Sequence, residues 1–188
     1  MRVVLVLLFS ALVFAADPQF DKSGELLRPG ADYREWIYIT TGLGMNYSAE
    51  HASPSDDAPI FDNIFVIPSA YREFKATGHW PDHTVFVIEP RLSVNKGSIN
   101  KGGRYQGDRT NLLEVSVKDT KRFPDGWGYF VFQKDAQSAK AMGPEAHCNE
   151  CHSKNAAVEN TFVQFYPTLL EIAKQKGTLK ESLKNETH

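Results

Sequence analysis

The chain has 188 residues, with 21 Lys and Arg, 23 Asp and Glu, and a formal net charge of −2 at pH 7. This length suits one domain with a substantial core, and the 12% of aromatic residues can fill much of it. The near-neutral charge and the lack of a basic patch argue against nucleic-acid binding and against a polybasic membrane anchor.

The first 15 residues, MRVVLVLLFSALVFA, have the pattern of a cleaved export signal. Arg2 supplies the positive start, an apolar run follows, and the segment ends in Val13-Phe14-Ala15, which resembles a cleavage site. The run is shorter than the about 20 residues that span a membrane. We therefore expect a signal peptide over 1–15, no membrane span after cleavage, and a periplasmic or secreted protein. An uncleaved N-terminal anchor is the alternative.

After a polar loop, closely spaced strands are predicted, and short connections between them favour an antiparallel sheet. Pro90 is expected to end one strand, and the glycine-rich segment 96–107 is predicted to be a loop. The predicted class is α+β, with a largely antiparallel five-stranded sheet, flanking helices, one domain over 17–176 and a flexible tail over 177–188. The five strands are predicted within 33–41, 60–67, 84–89, 112–117 and 128–132, and helices over 69–77, with Ser69 as cap and Gly78 as end, and 168–175.

The segment Cys148-Asn149-Glu150-Cys151-His152 reads C-x-x-C-H, the attachment motif of c-type haem, and lies late in the chain. Two thiols at this spacing can each bond a haem vinyl group, and the next residue, His152, can bind the iron. The alternatives are a redox disulfide, a structural disulfide and half of a zinc site. The chain has only two cysteines, and zinc needs about four ligands, so one covalent haem c is the favoured interpretation.

Most of the mature chain resembles the cytochrome P-460 family, which includes the cytochromes c′-beta. The resemblance is carried by YREW at 33–36, FDNIFVIPSAYREFKATG at 61–78, WPDHTVFVIE at 80–89, EVSVKDTKRFPDGWGYFVF at 114–132, CNECH, and FVQFYPTLL at 162–170. It implies an antiparallel sheet packed with helices, one haem c, and often a homodimer.

The resemblance also implies residues for the distal side of the haem. Members that oxidise hydroxylamine carry a lysine bonded to the haem edge, and the matching position here is Ile88. The family's distal carboxylate, a proton relay, matches Glu114, although a glutamate on the solvent face of a strand is the alternative. Strand alternation puts Phe86 on the same face as Ile88. An apolar wall there suits NO or CO, whereas two ordinary core residues are the other interpretation.

Met45, in the loop GLGMN, is a candidate sixth iron ligand, or else a packing methionine. The sequence therefore predicts a periplasmic mono-haem c protein that binds or redox-converts small nitrogen species such as NO and hydroxylamine, and that works with a redox partner protein. The alternatives are a six-coordinate His/Met electron-transfer cytochrome and a non-catalytic NO- or CO-binding protein. Arg104 and Arg109 are candidates for haem propionates, and His51, His79 and His83 are expected at the surface.

Overall fold

The computed structural model describes residues 17–45, 47 and 59–184. The predicted leader over 1–15 and most of the predicted loop over 42–57 lie outside these residues. Within the described part of the chain, no helix combines the length and the apolar character that crossing a membrane requires.

The described residues form an α+β fold around an antiparallel sheet of six strands, not five. The neighbours in the sheet run β2-β3-β4-β6-β7, and β5 pairs with β4 beyond the end of β6. A separate two-stranded ribbon joins β1 to β8. The strands are β1 Leu26–Leu27, β2 Ile37–Leu43, β3 Ile60–Val66, β4 Val85–Val94, β5 Tyr105–Arg109, β6 Leu113–Lys118, β7 Trp127–Phe132 and β8 Ser138–Ala139.

The extra strand comes from the segment that was predicted to be a glycine-rich loop. Strand β4 continues through Pro90, so the prediction that this proline ends the strand is wrong. The ladder between β4 and β6 stops at Ile88, and the ladder between β4 and β5 starts at Arg91. Proline has no N–H to donate, and here it falls in the gap between two partner strands, where its missing donor costs least.

Three α-helices lie in the described chain: α1 Pro68–Thr77, α2 Cys148–Asn155 and α3 Pro167–Lys176. Helix α1 ends at Gly78, as predicted, with φ +79° and its N–H bonded to the Phe74 carbonyl. Its predicted Ser69 cap is wrong, because the helix begins one residue earlier at Pro68, whose fixed φ suits a first helical position. Beyond α3, Leu179 is buried, and Lys180 donates its backbone N–H to the Ala157 carbonyl.

One face of the sheet positions the candidate site. Register pairs Ile64 with Ile88 and Ile88 with Glu114, so these three side chains form a row across β3, β4 and β6. The neighbouring row on the same face pairs Phe86 with Ser116. Helix α2 and the chain that follows it supply the residues that face these rows.

Candidate haem site

Both cysteines lie on the first turns of α2. Cys148 begins the helix and Cys151 follows one turn later, and both are half-buried free thiols. Burial raises the pKa of the Cys148 thiol. No group of three His, Cys, Asp or Glu side chains able to hold a metal ion occurs among the described residues, so the geometry lends no support to a zinc site.

The imidazole of His152 is held in one orientation. Its ring lies between the rings of Tyr129 and Phe162, at centroid distances of 4.4 Å and 4.6 Å. Nδ1 donates a hydrogen bond of 2.7 Å to the backbone carbonyl of Asn160. This bond assigns the proton to Nδ1, and the unprotonated Nε2 remains as a metal ligand. Burial lowers the pKa of His152, and the bond to Asn160 offsets part of that effect.

His152 opens onto a cavity of about 160 Å³ against the sheet. Three of the residues predicted for the distal side, Phe86, Ile88 and Glu114, line this same cavity. The fold thus brings together four predicted side chains from three separate segments of the chain. The remaining lining residues are Tyr47, Ile64, Ser116, Trp127, Asn160, Thr161, Phe162 and Tyr166.

Glu114 is the carboxylate of this cavity and is half-buried. Burial raises its pKa above the usual range, and the nearby carboxylate of Asp62 raises it further. Burial also raises the pKa of Asp62. A carboxyl group in these surroundings gains a proton more readily than one in water, which is the property that a proton relay needs near neutral pH.

Several candidate residues are not among the described residues that line the cavity. The described lining residues do not include Met45, whose Sδ lies 4.0 Å from the Tyr47 hydroxyl. Arg104 donates a hydrogen bond of 3.2 Å to Ser93, and His51 and the Arg109 side chain lie outside what the structure describes. His79 and His83 are exposed, as expected, and contact different carboxylates, Glu159 and Asp17. Lys75, Lys96 and Lys101 lie near Ile88 in the sequence and are the other candidates for a bond to the haem edge, but the described lining residues include no lysine.

Sequence reasoning missed other residues of the cavity. Alternation along β6 puts Ser116 on the face of Glu114, so this residue could have been found. Ile64 could not, because its position depends on the register between β3 and β4. Asn160 contributes its backbone carbonyl, and a pattern of side chains in the sequence cannot predict which carbonyl will accept a hydrogen bond from His152.

The residues present fit a covalently held haem. Two free thiols and one oriented imidazole lie on the same short helix. The buried Tyr129 hydroxyl, beside His152, has no hydrogen-bond partner among the described residues. The cavity is smaller than the about 300–1,000 Å³ typical of ligand sites. The ring of Tyr47, which lines this cavity, stacks on Phe162 at a centroid distance of 6.2 Å.

Comparison with known proteins agrees with this geometry. The family model described as Cytochrome P460 matches residues 30–163, which include the sheet, α1, both cysteines and His152. A search of curated proteins finds no matching relative. The matched region covers most of the chain and implies haem binding, and this protein belongs to the cytochrome P460 family.

Proposed function

We propose that the protein is a periplasmic mono-haem c protein that binds, or converts by redox chemistry, small neutral nitrogen species such as NO. The observation that carries the proposal is the hydrogen bond from His152 Nδ1 to Asn160, which leaves Nε2 unprotonated in a residue that lines a cavity with apolar walls and one carboxylate. The predicted export signal supports the location. A redox partner protein and a homodimer remain part of the proposal.

Each residue of the site has a distinct task. Cys148 and Cys151 would hold the haem through thioethers, and His152 Nε2 would bind its iron. Haem iron, when bound, supplies a redox centre and a coordination position for a small ligand. Phe86 and Ile88 present hydrocarbon to that ligand, which excludes water and disfavours charged species.

Ile88 argues for ligand binding over hydroxylamine oxidation. Its side chain lines the cavity, and the resemblance to the family matches this position to the cross-linking lysine of the hydroxylamine-oxidising members. A branched hydrocarbon cannot form that bond. Glu114 can still hold or release a proton at its carboxylate, so proton-coupled chemistry of a bound ligand remains within the proposal.

The absorption spectrum of the reduced protein tests the sixth iron position. We expect CO to shift the Soret band of the wild-type protein, because Met45 is not among the described residues that line the cavity. The matched variant Met45→Leu should behave like the wild type: its Soret band should have the same position without CO and should shift by the same amount when CO is added.

Two outcomes would contradict this expectation. A wild-type Soret band that CO leaves unchanged, together with a shift in Met45→Leu, would establish His/Met ligation and an electron-transfer cytochrome. A spectrum without haem features in protein matured with haem would remove the proposal altogether.

The variant Glu114→Gln tests the carboxylate. A raised pKa means that the folded state binds more protons, so wild-type stability falls as pH rises through the folded-state pKa of Glu114. Gln has no such charge, so we expect it to unfold at a higher temperature than wild type at pH 7 and at a similar one at pH 4. The expected gain is about 1 kcal/mol, or roughly 2–4 °C.

The control is Glu73→Gln, because Glu73 is exposed on α1. Glu114→Gln should also slow any proton-coupled haem reaction while haem content stays intact. A melting temperature and kinetics equal to wild type across pH 5–8 would remove Glu114 from the site.

A further inference from the structure

A tight turn follows α2 and presents the carbonyl that holds His152. Val158 and Thr161 pair across it, with backbone N–H to O distances of 3.2 Å and 2.7 Å. The two central residues have positive φ, +43° at Glu159 and +62° at Asn160. Turns of this kind favour Gly or Asn at both positions. Asn160 suits this conformation, but glutamate rarely adopts it.

The side chain of Glu159 is held on both of its oxygens. Oε1 accepts from His79 Nδ1 at 2.6 Å, and Oε2 accepts from Lys118 Nζ at 2.7 Å and from the Trp80 backbone N–H at 3.2 Å. Lys118 also donates to the Trp80 carbonyl at 2.5 Å. Glu159, Lys118, the His79 ring and the Trp80 backbone thus form one network, which we call the Glu159 clamp. It fixes the turn to the end of β6.

The electrostatics of the clamp favour a charged carboxylate. Burial alone would raise the pKa of Glu159, but the hydrogen bonds from Lys118 and His79 lower it below the usual range. The carboxylate is 28% exposed and Lys118 is 16% exposed, so water screens the pair less than it screens a surface ion pair.

The clamp lies one residue away from the contact with His152. Asn160 follows Glu159 directly, and its carbonyl is the acceptor for His152 Nδ1–H at 2.7 Å. The direction of this carbonyl depends on the positive φ of both turn residues. A carbonyl that accepts from Nδ1 makes the imidazole a more basic ligand at Nε2 and fixes its orientation.

We infer that Glu159 is a positioning residue, which holds the Asn160 carbonyl against His152 and thereby sets the strength of His152 as a ligand of haem iron. The inference rests on the proposed function, because it requires His152 to bind the iron. A purely structural role for the clamp would affect stability and leave the properties of the haem unchanged.

The test is the midpoint potential of the intact haem protein, with the iron–histidine stretch in resonance Raman spectra of the ferrous form. Glu159→Ala removes the clamp. Glu159→Gly also removes the clamp, but glycine adopts positive φ without strain, so we expect this variant to fold even if Glu159→Ala does not. A less basic His152 stabilises ferric iron less, so both variants should raise the potential. The expected change is about tenfold in the ferric-to-ferrous equilibrium, or about 59 mV for one electron.

Matched variants separate positioning from stability. Glu171→Gln breaks an exposed ion pair with Lys174 on α3 and should leave the potential unchanged. In Lys118→Met the clamp loses one partner, so we expect a shift in the same direction as Glu159→Ala, and smaller.

The outcomes distinguish this inference from the proposal on which it rests. Unchanged potential and unchanged iron–histidine stretch in Glu159→Ala and Glu159→Gly, with haem attached, would overturn the inference alone. The second outcome is a wild-type protein that carries haem but shows no iron–histidine stretch that His152→Ala removes. That result would overturn the proposed ligation, and the inference with it.

Discussion

We expect the replacement of both Cys148 and Cys151 with serine to abolish the covalent retention of haem. This is the largest effect that we predict. Both thiols lie on the first turns of α2, are free, and are half-buried beside the cavity that His152 lines. Serine keeps their size but forms no thioether. Intact mass under denaturing conditions should show the chain plus one haem for wild type and the bare chain for the double variant.

Peptide mapping of the wild-type protein completes this experiment. Haem should be found on the peptide that contains Cys148 to His152 and on no lysine, because Ile88 lines the cavity and the resemblance to the family matches it to the cross-linking lysine. Ser153→Ala, on the exposed side of the same helix, should keep the haem and serves as the control. Haem that extracts freely from wild type would refute covalent attachment. Haem on Lys75, Lys96 or Lys101 would restore hydroxylamine oxidation as the leading function.

The sequence was sufficient to predict the side chains of the site whose positions follow from local rules. Strand alternation put Phe86 and Ile88 on one face, and both line the cavity. The resemblance to the family supplied Glu114, which register places directly opposite Ile88. Local periodicity succeeds here because a regular strand fixes the direction of each side chain.

Other features depend on contacts between distant segments, and these the sequence did not reveal. Strand β5 lies in a glycine-rich segment with little strand propensity, and it forms because the far half of β4 offers an unpaired edge. Pro90 lies inside β4 because its partner strand changes at that point. His152 Nδ1–H donates to the backbone carbonyl of Asn160, which lies in a turn with Glu159, and no pattern of side chains in the sequence predicts that contact.

Two carboxylates, Glu89 on β4 and Glu114 on β6, lie at neighbouring positions of the sheet but have different surroundings. We expect Glu114 to serve the function of the site and Glu89 to serve stability. Glu114 lines the cavity, and burial and Asp62 raise its pKa. Glu89 follows Ile88 on β4, so it points to the other face of the sheet, away from the cavity. The first carboxylate is disposed to exchange a proton, and the second is held ionised.

Replacing Glu89 should cause a larger loss of stability than replacing an exposed glutamate such as Glu73 or Glu171. Glu89 is 2% exposed, and it accepts hydrogen bonds from the Tyr33 hydroxyl, from Arg34 Nη2 and from Arg91 Nε, the last at 2.6 Å. Burial alone would raise its pKa, but the hydrogen bonds from Tyr33, Arg91 and Arg34 lower it below the usual range. Removing one member of a fully buried ion pair costs about 3–5 kcal/mol. The side chains of Arg34 and Arg91 are 35% and 27% exposed, so water partly compensates their charges and we expect a cost toward the lower end of that range.

Thermal unfolding of Glu89→Gln measures this cost and its pH dependence. At about 2–4 °C per kcal/mol for a chain of this size, we expect the melting temperature at pH 7 to fall by roughly 6–20 °C. A lowered pKa means that Glu89 contributes its stability above its unfolded-state pKa of about 4.3, and that this contribution is lost as pH falls through the lower folded-state value. The difference in melting temperature between wild type and Glu89→Gln should therefore narrow below about pH 4. The sign is opposite to that for Glu114, because at pH 7 the charged Glu89 stabilises the fold and the charged Glu114 destabilises it. Glu35→Gln, an exposed neighbour of Arg34, should change little at any pH. A melting temperature of Glu89→Gln equal to that of Glu35→Gln would show that the ionised carboxylate does not stabilise this face of the sheet.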